Sequence, residues 1–391
     1  MRKPYSSHGY DTIDYFSIDP RFGHEADLHI LVREAHRHGL RVILDLALNH
    51  TSTDFPLFSS ALQNEASPYR QWLSFDPLYR HGYRTFFGVA SMPQIDLDYP
   101  DARAYMLDVG RYWLREFDVD GYRLDYAAGP SHGFWSAFRA ACRSTKPDCW
   151  IFGEVTRTGE RLRTYVGRLD GCLDFAFGRD VRRFCATVEP SFGIGQFAQS
   201  LIRRRRFFGA DFVLPTFLDN HDMNRFLWVV ENDKERLKLA AGLLFAFGGT
   251  PIIYYGTEVG LSQPRPKAPY REESRHPMPW DEGQDVELLA FFRAWIGSRK
   301  RHPALNYGDL STHLLDEERG IWLVERCYAG DRVLVIVNCA GVGHAIALPE
   351  GDYMAADGRP VSDSFDCPLR SVTALSRPLS VSADVVDDII D

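Results

Sequence analysis

Residues 116–129 of the chain read EFDVDGYRLDYAAG, and this stretch combines the pattern of a buried strand with that of a reactive site. The apolar residues of the predicted strand are Val119, Tyr122 and Leu124. Arg123 and Asp125 stand two residues apart in the same run, so their side chains point to the same side of the strand. Burying a guanidinium and a carboxylate is costly, which indicates that the strand ends at a site where both charges are used.

The composition is that of an ordinary folded protein with room for more than one domain. The chain has 391 residues, of which 45% are hydrophobic and 25% charged. A net charge of -8 disfavours a nucleic-acid partner, and no apolar run is long enough to span a bilayer, so we expect neither a nucleic-acid nor a membrane partner. Seven cysteines without a CxxC pair predict reduced, mostly buried thiols, no zinc site, no disulfide framework and a cytoplasmic location.

Predicted strands alternate with amphipathic helices over most of the chain. Six strands are expected, beginning near residues 41, 119, 149, 172, 211 and 250. This alternation predicts an α/β fold with a parallel sheet covered by helices. The glycine loop of a doubly wound sheet is missing, so a barrel is favoured, with its active site at the C-terminal ends of the strands.

Two segments depart from this alternation. The connection from Thr51 to about Pro100 is too long for an ordinary strand–helix loop and predicts a small inserted lobe. After about His302, short β-rich segments between Gly and Asp turns predict an antiparallel sandwich. The predicted division is barrel (1–50), inserted domain (51–100), remainder of the barrel (101–301), sandwich (302–375) and tail (376–391).

Four of the predicted strands end in polar residues, in the segments DLALNH, RLDYA, GEV and FLDNHD. The chain contains no HExxH, GxSxG or Walker motif, which disfavours a zinc hydrolase, an α/β-hydrolase and nucleotide chemistry. Paired-carboxylate chemistry is what these strand ends support. In retaining glycoside hydrolysis, for example, an ionised carboxylate attacks while a protonated carboxyl group donates to the leaving oxygen.

The surroundings of the acidic residues suggest a role for each. Asp125 is the predicted nucleophile, because the neighbouring Arg123 should lower the pKa of its carboxyl group. Glu154 follows WIFG with no cation adjacent in sequence, and an apolar setting would favour the protonated form that a general acid needs. Asp222 would stabilise the positively charged transition state. A retaining enzyme should hold the carboxyl groups of Asp125 and Glu154 about 5 to 5.5 Å apart.

These motifs match a known family. The chain resembles the α-amylase family of glycoside hydrolases over about residues 5–375, and its pattern is closest to the neopullulanase and cyclomaltodextrinase group. The four strand-end segments occur in the family's order, MPQIDLD is similar to its MPKLN-type segment, and RHPMPWD and HPAL match later landmarks. The resemblance implies a TIM (β/α)8-type barrel with an inserted domain B and a C-terminal antiparallel β-sandwich. It also implies hydrolysis of α-1,4 or α-1,6 glucosidic bonds in starch-derived oligosaccharides.

The resemblance also carries residue roles onto this sequence. Asp125 matches the nucleophile, Glu154 the general acid/base and Asp222 the transition-state stabiliser. Asp45 and Asn49 match positions that shape the barrel mouth. The residues that match sugar-binding positions are Tyr10, His50, Arg123, His221 and Arg275.

Several departures from the family pattern bear on cofactor and substrate. The nucleophile motif continues YAAG, where calcium-dependent α-amylases typically have a Lys-His pair. We therefore expect no cofactor, with calcium as the alternative, because the usual His position is not matched. Ser7 and Arg271 stand where exo-acting and cyclodextrin-degrading relatives, respectively, have an aspartate. Relatives of the neopullulanase type often dimerise, so a homodimer is a further expectation.

The start of the chain differs from the family as well. The family has two barrel strands and a helix before HGYDTIDY, whereas this chain begins a few residues before that segment. Because six strands are counted, we hypothesise that the barrel lacks its first two strands and that the chain is N-terminally incomplete. Two alternatives to a hydrolase remain: an α-glucan transglycosylase of the same family, and an inactive truncated or non-catalytic member.

Overall fold

A computed structural model describes residues 1–2, 8–186, 192–209, 212–268 and 272–377 of the chain. The chain divides into two compact units. The first unit holds the described residues of 1–173 and 210–213, and the second holds those of 174–209 and 214–391.

The first unit is built on a parallel sheet whose strands alternate with helices. The strands are β1 (Ile43–Leu46), β2 (Gly121–Leu124), β3 (Trp150–Gly153) and β4 (Gly171–Cys172), and they neighbour one another in this order. The α-helices are α1 (Glu25–Arg37), α2 (Pro56–Gln63), α3 (Pro100–Phe117), α4 (His132–Thr145) and α5 (Glu160–Arg163). The register places Asp45 of β1 beside Arg123 of β2, so charged residues of adjacent strands meet near the end of the sheet.

The long helices of this unit begin and end at residues suited to those positions. Helix α3 starts with Pro100, whose missing N–H has no partner to lose in the first turn, and ends where Asp118 turns left-handed with φ 55°. Helix α4 is capped by the Ser131 side chain, which accepts the N–H of Phe134. The two helices pack against each other and cover one side of the sheet, burying Trp113 of α3.

Strand β2 begins with a glycine that the packing requires. Gly121 has φ +150°, and a β-carbon built there would lie 1.8 Å from the carbonyl oxygen of Trp150. No side chain fits in that space, so the close approach of β2 to β3 depends on this residue.

The segment between β1 and α3, which the sequence predicts as an inserted lobe, carries short helices and bridges. It contains α2, the short 3-10 helices Arg70–Trp72 and Phe86–Gly88, and isolated antiparallel bridges such as Leu73 with Ile95. Aromatic packing holds it together; for example, the rings of Phe58 and Tyr83 lie 5.0 Å apart. A further bridge, between His50 and Gln94, ties the lobe to the chain that leaves β1.

The second unit combines helices, one short parallel pair and an antiparallel region. Its helices are α6 (Phe175–Cys185), α7 (Ile194–Phe208), α8 (Phe226–Val229), α9 (Lys234–Phe247), α10 (Val286–Arg301), α11 (Pro303–Tyr307) and the 3-10 helix Thr257–Val259. The parallel pair is β5 (Thr216–Phe217) with β6 (Pro251–Ile252). The antiparallel strands are β7 (Asp309–Asp316), β8 (Ile321–Tyr328), β9 (Asp331–Asn338), β10 (His344–Ala347), β11 (Tyr353–Met354), β12 (Pro360–Val361), β13 (Ser364–Cys367) and β14 (Ser371–Ser376).

The antiparallel strands form two sheets, which confirms the antiparallel C-terminal region predicted from the sequence. One sheet has the order β12-β11-β14-β9-β8-β7 and the other pairs β10 with β13. One face of the larger sheet packs on the smaller one through Leu323, Ile336 and Ile346. The other face packs on α9, where Gly242 lies so close to Val372 that a β-carbon would stand 2.7 Å away.

The parallel strands lie where the sequence predicts them. Within the described residues six strands form parallel pairs, four in the first unit and two in the second. The strand expected from residue 211 is short, because only Thr216 and Phe217 pair with β6. The absence of two barrel strands and the boundaries of the lobe and tail stay predictions, and residues 378–391 of the tail lie outside the described residues.

Candidate active site

The carboxylates of Asp125 and Glu154 emerge at the ends of adjacent strands. The carbonyl of Leu46 accepts the N–H of Asp125 at 3.0 Å, and the carbonyl of Leu124 accepts the N–H of Glu154 at 2.8 Å. The hydrogen-bond ladders from β1 to β2 and from β2 to β3 therefore continue past the strand ends. Both acidic residues consequently stand at the C-terminal edge of the sheet, where parallel α/β folds place their chemistry.

Arg123 bridges carboxylates from three strands. Its Nη1 atom lies 2.8 Å from Asp45 and 2.9 Å from Asp125, and its Nη2 atom lies 2.8 Å from Glu154. The arginine side chain is only 12% exposed. The planar guanidinium can face several carboxylates at once, which a lysine ammonium on a flexible stem does less well. One cation thus orients the two residues predicted to do the chemistry.

Two further groups complete this cluster. The hydroxyl of Tyr10 donates to Asp45 at 2.7 Å, and burial raises the pKa of Tyr10 far enough to keep that proton in place. The backbone N–H of Tyr126 donates to the Oε2 atom of Glu154 at 3.3 Å. Each carboxylate next to Arg123 therefore has a defined orientation before any ligand arrives.

Burial decides the charge state of Asp125. The residue is 7% exposed, and desolvation raises the pKa of its carboxyl group to about 7, while Arg123 offsets only part of that rise. The negative charges of Glu154 and Asp45 raise it further. Arg123 does lower this pKa, as predicted, but the net pKa is raised, because the cost of desolvating the carboxylate exceeds the attraction of one cation that two other carboxylates share.

The expected surroundings of Glu154 need a correction as well. The sequence shows no cation next to WIFGE, yet Arg123 contacts Glu154 at 2.8 Å. The contact arises because β2 and β3 are neighbours, with Arg123 paired in register with Phe152. Adjacency along the chain does not reveal a partner on the next strand, so the setting of Glu154 is not the purely apolar one expected from the sequence but includes the Arg123 guanidinium.

His50 and Asn49 form a second, more deeply buried group in the first unit. Asn49 Nδ2 lies 3.4 Å from Nδ1 of His50, and Gln94 Nε2 donates to Asn49 Oδ1 at 3.3 Å. The ring of Phe86 stacks on the His50 ring with centroids 4.3 Å apart. Residues of the lobe thus hold both side chains that follow β1.

In the second unit, three basic side chains surround the carboxylate of Asp222. His221 lies 3.2 Å, Arg275 3.2 Å and Lys267 3.5 Å from its oxygens. Burial by itself would raise the pKa of Asp222, but the hydrogen bond from His221 and the charges of all three groups outweigh it and hold the pKa below its usual range. Asp222 is therefore kept ionised, the opposite of the tendency at Asp125.

Lys267 and Arg275 also contact the backbone of His221. The carbonyl oxygen of His221 accepts hydrogen bonds from the side chains of Lys267 at 2.5 Å, Ser274 at 3.0 Å and Arg275 at 3.2 Å. Lys267 was not predicted from the sequence. It lies in the proline-rich stretch QPRPKAP, which has neither helical nor strand periodicity, so no pattern pointed to it.

The predicted site residues fall into two groups. The first unit brings together Tyr10, Asp45, Arg123, Asp125 and Glu154, with Asn49 and His50 beside one another. The second unit brings together His221, Asp222 and Arg275. Ser7 and Arg271 lie outside the described residues. A buried carboxyl pair oriented by a cation is suited to acid–base and nucleophilic chemistry at an acetal carbon.

A comparison with known families identifies the family of the chain. The family model described as the α-amylase catalytic domain matches residues 1–307. The chain belongs to the α-amylase family. This confirms the resemblance that the strand-end motifs predicted.

Individual relatives from this family extend the similarity. Alpha-amylase 2 of Dictyoglomus thermophilum is 42% identical over 311 residues, which cover 78% of this chain and 54% of the relative. A cyclomaltodextrinase of Geobacillus thermopakistaniensis is 34% identical over 356 residues, which cover 88% of this chain and 59% of the relative. The chain thus spans little more than half the length of these curated relatives. The second name agrees with the predicted neopullulanase and cyclomaltodextrinase group.

A similar solved structure supports the fold. The ligand-free cyclic α-maltosyl-(1→6)-maltose hydrolase from Arthrobacter globiformis matches with a TM-score of 0.84 and 28% identity. The match covers 97% of this chain and 84% of that chain. Together with the family, this likeness indicates the TIM-barrel fold of α-amylases with a C-terminal antiparallel sheet.

The cavity next to the YAAG segment is lined by groups that favour a calcium ion and by one that opposes it. Gly129, at the end of that segment, lies against Asn49. The Oδ1 atom of Asn49 accepts a hydrogen bond from Nε2 of Gln94 at 3.3 Å. Asp96 and Asp98, which carry carboxylates, and Arg84, which carries a guanidinium, line the cavity beside Asn49. Calcium takes about six to eight oxygen ligands, and a neighbouring cation opposes it. In the part of the chain that the structure describes, no three His, Cys, Asp or Glu residues are placed to hold a metal.

The remaining sequence expectations concern membranes and thiols. Among the helices of residues 1–2, 8–186, 192–209, 212–268 and 272–377, none is both long and apolar enough to cross a membrane. All seven cysteines are free thiols; Cys327 is exposed and Cys339 half-buried. The other five are buried, which confirms the prediction of mostly buried thiols.

Proposed function

We propose that the protein is a retaining glycoside hydrolase that cleaves α-1,4 glucosidic bonds, and also α-1,6 bonds, in starch-derived oligosaccharides. The observation that carries the proposal is the bridge through Arg123, which holds Asp125 and Glu154 on its two terminal nitrogens. Two carboxyl groups this closely associated suit a nucleophile and an acid/base that act on the same bond.

The first step forms a covalent intermediate. A carboxylate oxygen of Asp125 attacks the anomeric carbon as the bond from that carbon to the glycosidic oxygen breaks. Glu154 gives its proton to the departing oxygen, which leaves as a hydroxyl group. The positive charge that develops on the sugar ring would be stabilised by Asp222, a role that rests on its family motif and on the cations that keep it ionised.

The second step reverses these roles. Glu154, now ionised, takes a proton from a water molecule whose oxygen attacks the anomeric carbon, and the bond to Asp125 breaks. The electrostatics support this exchange of one proton. The charge of Glu154 raises the pKa of Asp125, so protonating Glu154 favours the ionised nucleophile, and Arg123 contacts both groups throughout.

The names of the relatives suggest which bonds to test. One relative is a cyclomaltodextrinase, and another hydrolyses a cyclic maltosyl maltose with a (1→6) linkage. The substrate class is therefore proposed as malto-oligosaccharides, soluble starch and cyclodextrins.

The test is incubation of the purified protein with maltotriose, soluble starch and β-cyclodextrin, followed by measurement of new reducing ends. Proton NMR of the first product should show the α-anomer, because two inversions retain the configuration. Asp125→Asn should abolish turnover. A β-anomer as first product, or turnover by that variant, would refute the mechanism. Longer oligosaccharides at high maltotriose would instead indicate a transglycosylase.

Metal independence, compartment and assembly complete the proposal. Activity should survive EDTA, because YAAG stands where calcium-dependent relatives have the Lys-His pair and because the Arg84 guanidinium lines the cavity beside Asn49. Free thiols support a reducing compartment, for which we propose the cytoplasm. A homodimer is proposed from the family group, and sedimentation of the purified protein tests it.

A further inference from the structure

Phe87 is an exposed aromatic residue close to the carboxylates of the first unit. It lies in the 3-10 helix Phe86–Gly88 of the lobe, and 76% of its surface is exposed. Single exposed rings are common on protein surfaces and need no explanation by themselves. The backbone conformation of Phe87 and the residues that contact its ring do need an explanation.

The backbone at Phe87 is strained, and so is that of the residue it touches. Phe87 has φ 46° and ψ 30°, a left-handed conformation that bulky side chains rarely adopt. Tyr126 has φ 41°, and the two rings meet edge to face with centroids 5.2 Å apart. Strained residues of this kind cluster at active and ligand-binding sites. A turn that needed only this conformation would be better served by glycine, so the turn alone does not explain a phenylalanine.

Phe86, Phe87 and Tyr126 form an aromatic group that lies next to the predicted catalytic residues. Tyr126 follows Asp125 in the chain, and its N–H donates to Glu154 at 3.3 Å. On the other side, Phe86 stacks on His50 with an interplanar angle of 22°. Phe86 and Tyr126 thus contact the Phe87 ring, while most of the Phe87 surface stays exposed beside these residues.

We infer that Phe87 is a sugar-stacking residue, which binds one glucosyl unit of an α-glucan through the apolar face of the pyranose ring. The inference rests on the proposed function, because it assigns a contact to the same substrate. Rigid aromatic rings provide contact area at a low entropic cost, and Phe87 is already fixed by Phe86 and Tyr126. A ring oriented before binding loses little freedom when a sugar covers it.

The experiment measures binding separately from turnover. Titration calorimetry with maltoheptaose is carried out on the full chain carrying Asp125→Asn, alone and combined with Phe87→Ala, Phe87→Gly or Phe87→Tyr. The alanine and glycine variants should raise the Kd about tenfold, and the tyrosine variant should stay within about twofold of the parent. Phe87→Gly should also keep or raise the Tm, since glycine adopts φ 46° without strain.

Phe22→Ala is the matched control. Phe22 is 80% exposed, lies in the same unit and makes a cation–π contact with Arg21. Its removal should leave the Kd for maltoheptaose unchanged. Equal affinities in the Phe22 and Phe87 variants would overturn the inference. So would a loss of affinity by Phe87→Gly that is matched by a fall in Tm, because the ring would then only support the fold.

The two proposals can fail separately. If the wild type releases no reducing ends while binding still depends on Phe87, hydrolysis is refuted and stacking stands. If the wild type hydrolyses maltoheptaose while the Phe87 variants bind as the control does, stacking alone is refuted. Absence of maltoheptaose binding in every variant, the Phe22 control included, together with no release of reducing ends by the wild type, refutes both.

Discussion

Replacing the predicted nucleophile, by Asp125→Asn, should abolish turnover and at the same time stabilise the folded protein at pH 8. Burial raises the pKa of Asp125 from 3.8 to about 7 on folding. Between these two values the folded protein binds more protons than the unfolded chain. The free energy of unfolding therefore falls as the pH rises through this window, and the destabilisation is complete above about pH 7.

The size of the effect follows from the shift in pKa. A change of about three units, at about 1.36 kcal/mol per unit, sets a ceiling of about 4 kcal/mol at pH 8. The amide of asparagine carries no charge at any pH, so the variant avoids this cost. It also loses a contact to Arg123, which keeps Asp45 and Glu154 as partners. We expect a net gain of about 1 to 3 kcal/mol at pH 8 and almost none at pH 4.

Asp222→Asn provides a control with the opposite sign. The pKa of Asp222 lies below its usual range in the folded protein, so its ionised carboxylate stabilises the fold above the unfolded pKa. That stabilisation is lost only as the pH falls through the lower, folded value. The variant should therefore melt at a lower temperature than the wild type at pH 8, whereas Asp125→Asn should melt at a higher one.

Scanning calorimetry of the three proteins at pH 4 and pH 8 measures these differences. The reasoning fails if Asp125→Asn is no more stable than the wild type at pH 8. It also fails if the gain is the same at both values, because a titrating carboxylate cannot produce a change independent of pH.

Two further predictions concern the arginine bridge and the sheet. Arg123→Met removes the cation that lowers the pKa of Asp125, so the acid limb of the pH profile of kcat/KM on maltotriose should move up by about 1 to 3 pH units. The limb should move by less in Arg123→Lys, which keeps a positive charge. A limb that does not move in Arg123→Met would contradict the bridge. Gly121→Ala should lower the free energy of unfolding by more than about 4 kcal/mol in a thermal melt, because the new β-carbon would clash with the backbone of Trp150. Gly159→Ala is the control, because Gly159 has φ +60° and a β-carbon there would meet no atom within 4 Å. That variant should lose much less stability.

Much of the fold could be predicted because its strands and helices follow simple periodic patterns. The six parallel-paired strands coincide with short apolar runs that separate amphipathic helices, and the antiparallel region with alternating β-rich segments. Polar residues at the strand ends likewise predicted the cluster around Arg123, since parallel strands bring their ends to one edge.

The charge states could not be predicted in the same way. Adjacency in sequence suggested that Arg123 acts on Asp125 alone, whereas the fold divides it among three carboxylates. The degree of burial, which dominates the pKa of Asp125, depends on residues far apart in the chain. Lys267 was missed because an irregular loop brings it to Asp222, and loops carry no periodicity from which a contact can be inferred.

The charge balance around Arg123 also bears on the small molecules that the first unit would hold. Asp45, Asp125 and Glu154 share one guanidinium, so negative charge is in excess when all three are ionised. An iminosugar with a protonated ring nitrogen would place its cation against that excess. Its affinity should rise above about pH 7, where Asp125 loses its proton, and fall again once the inhibitor's own amine is neutral.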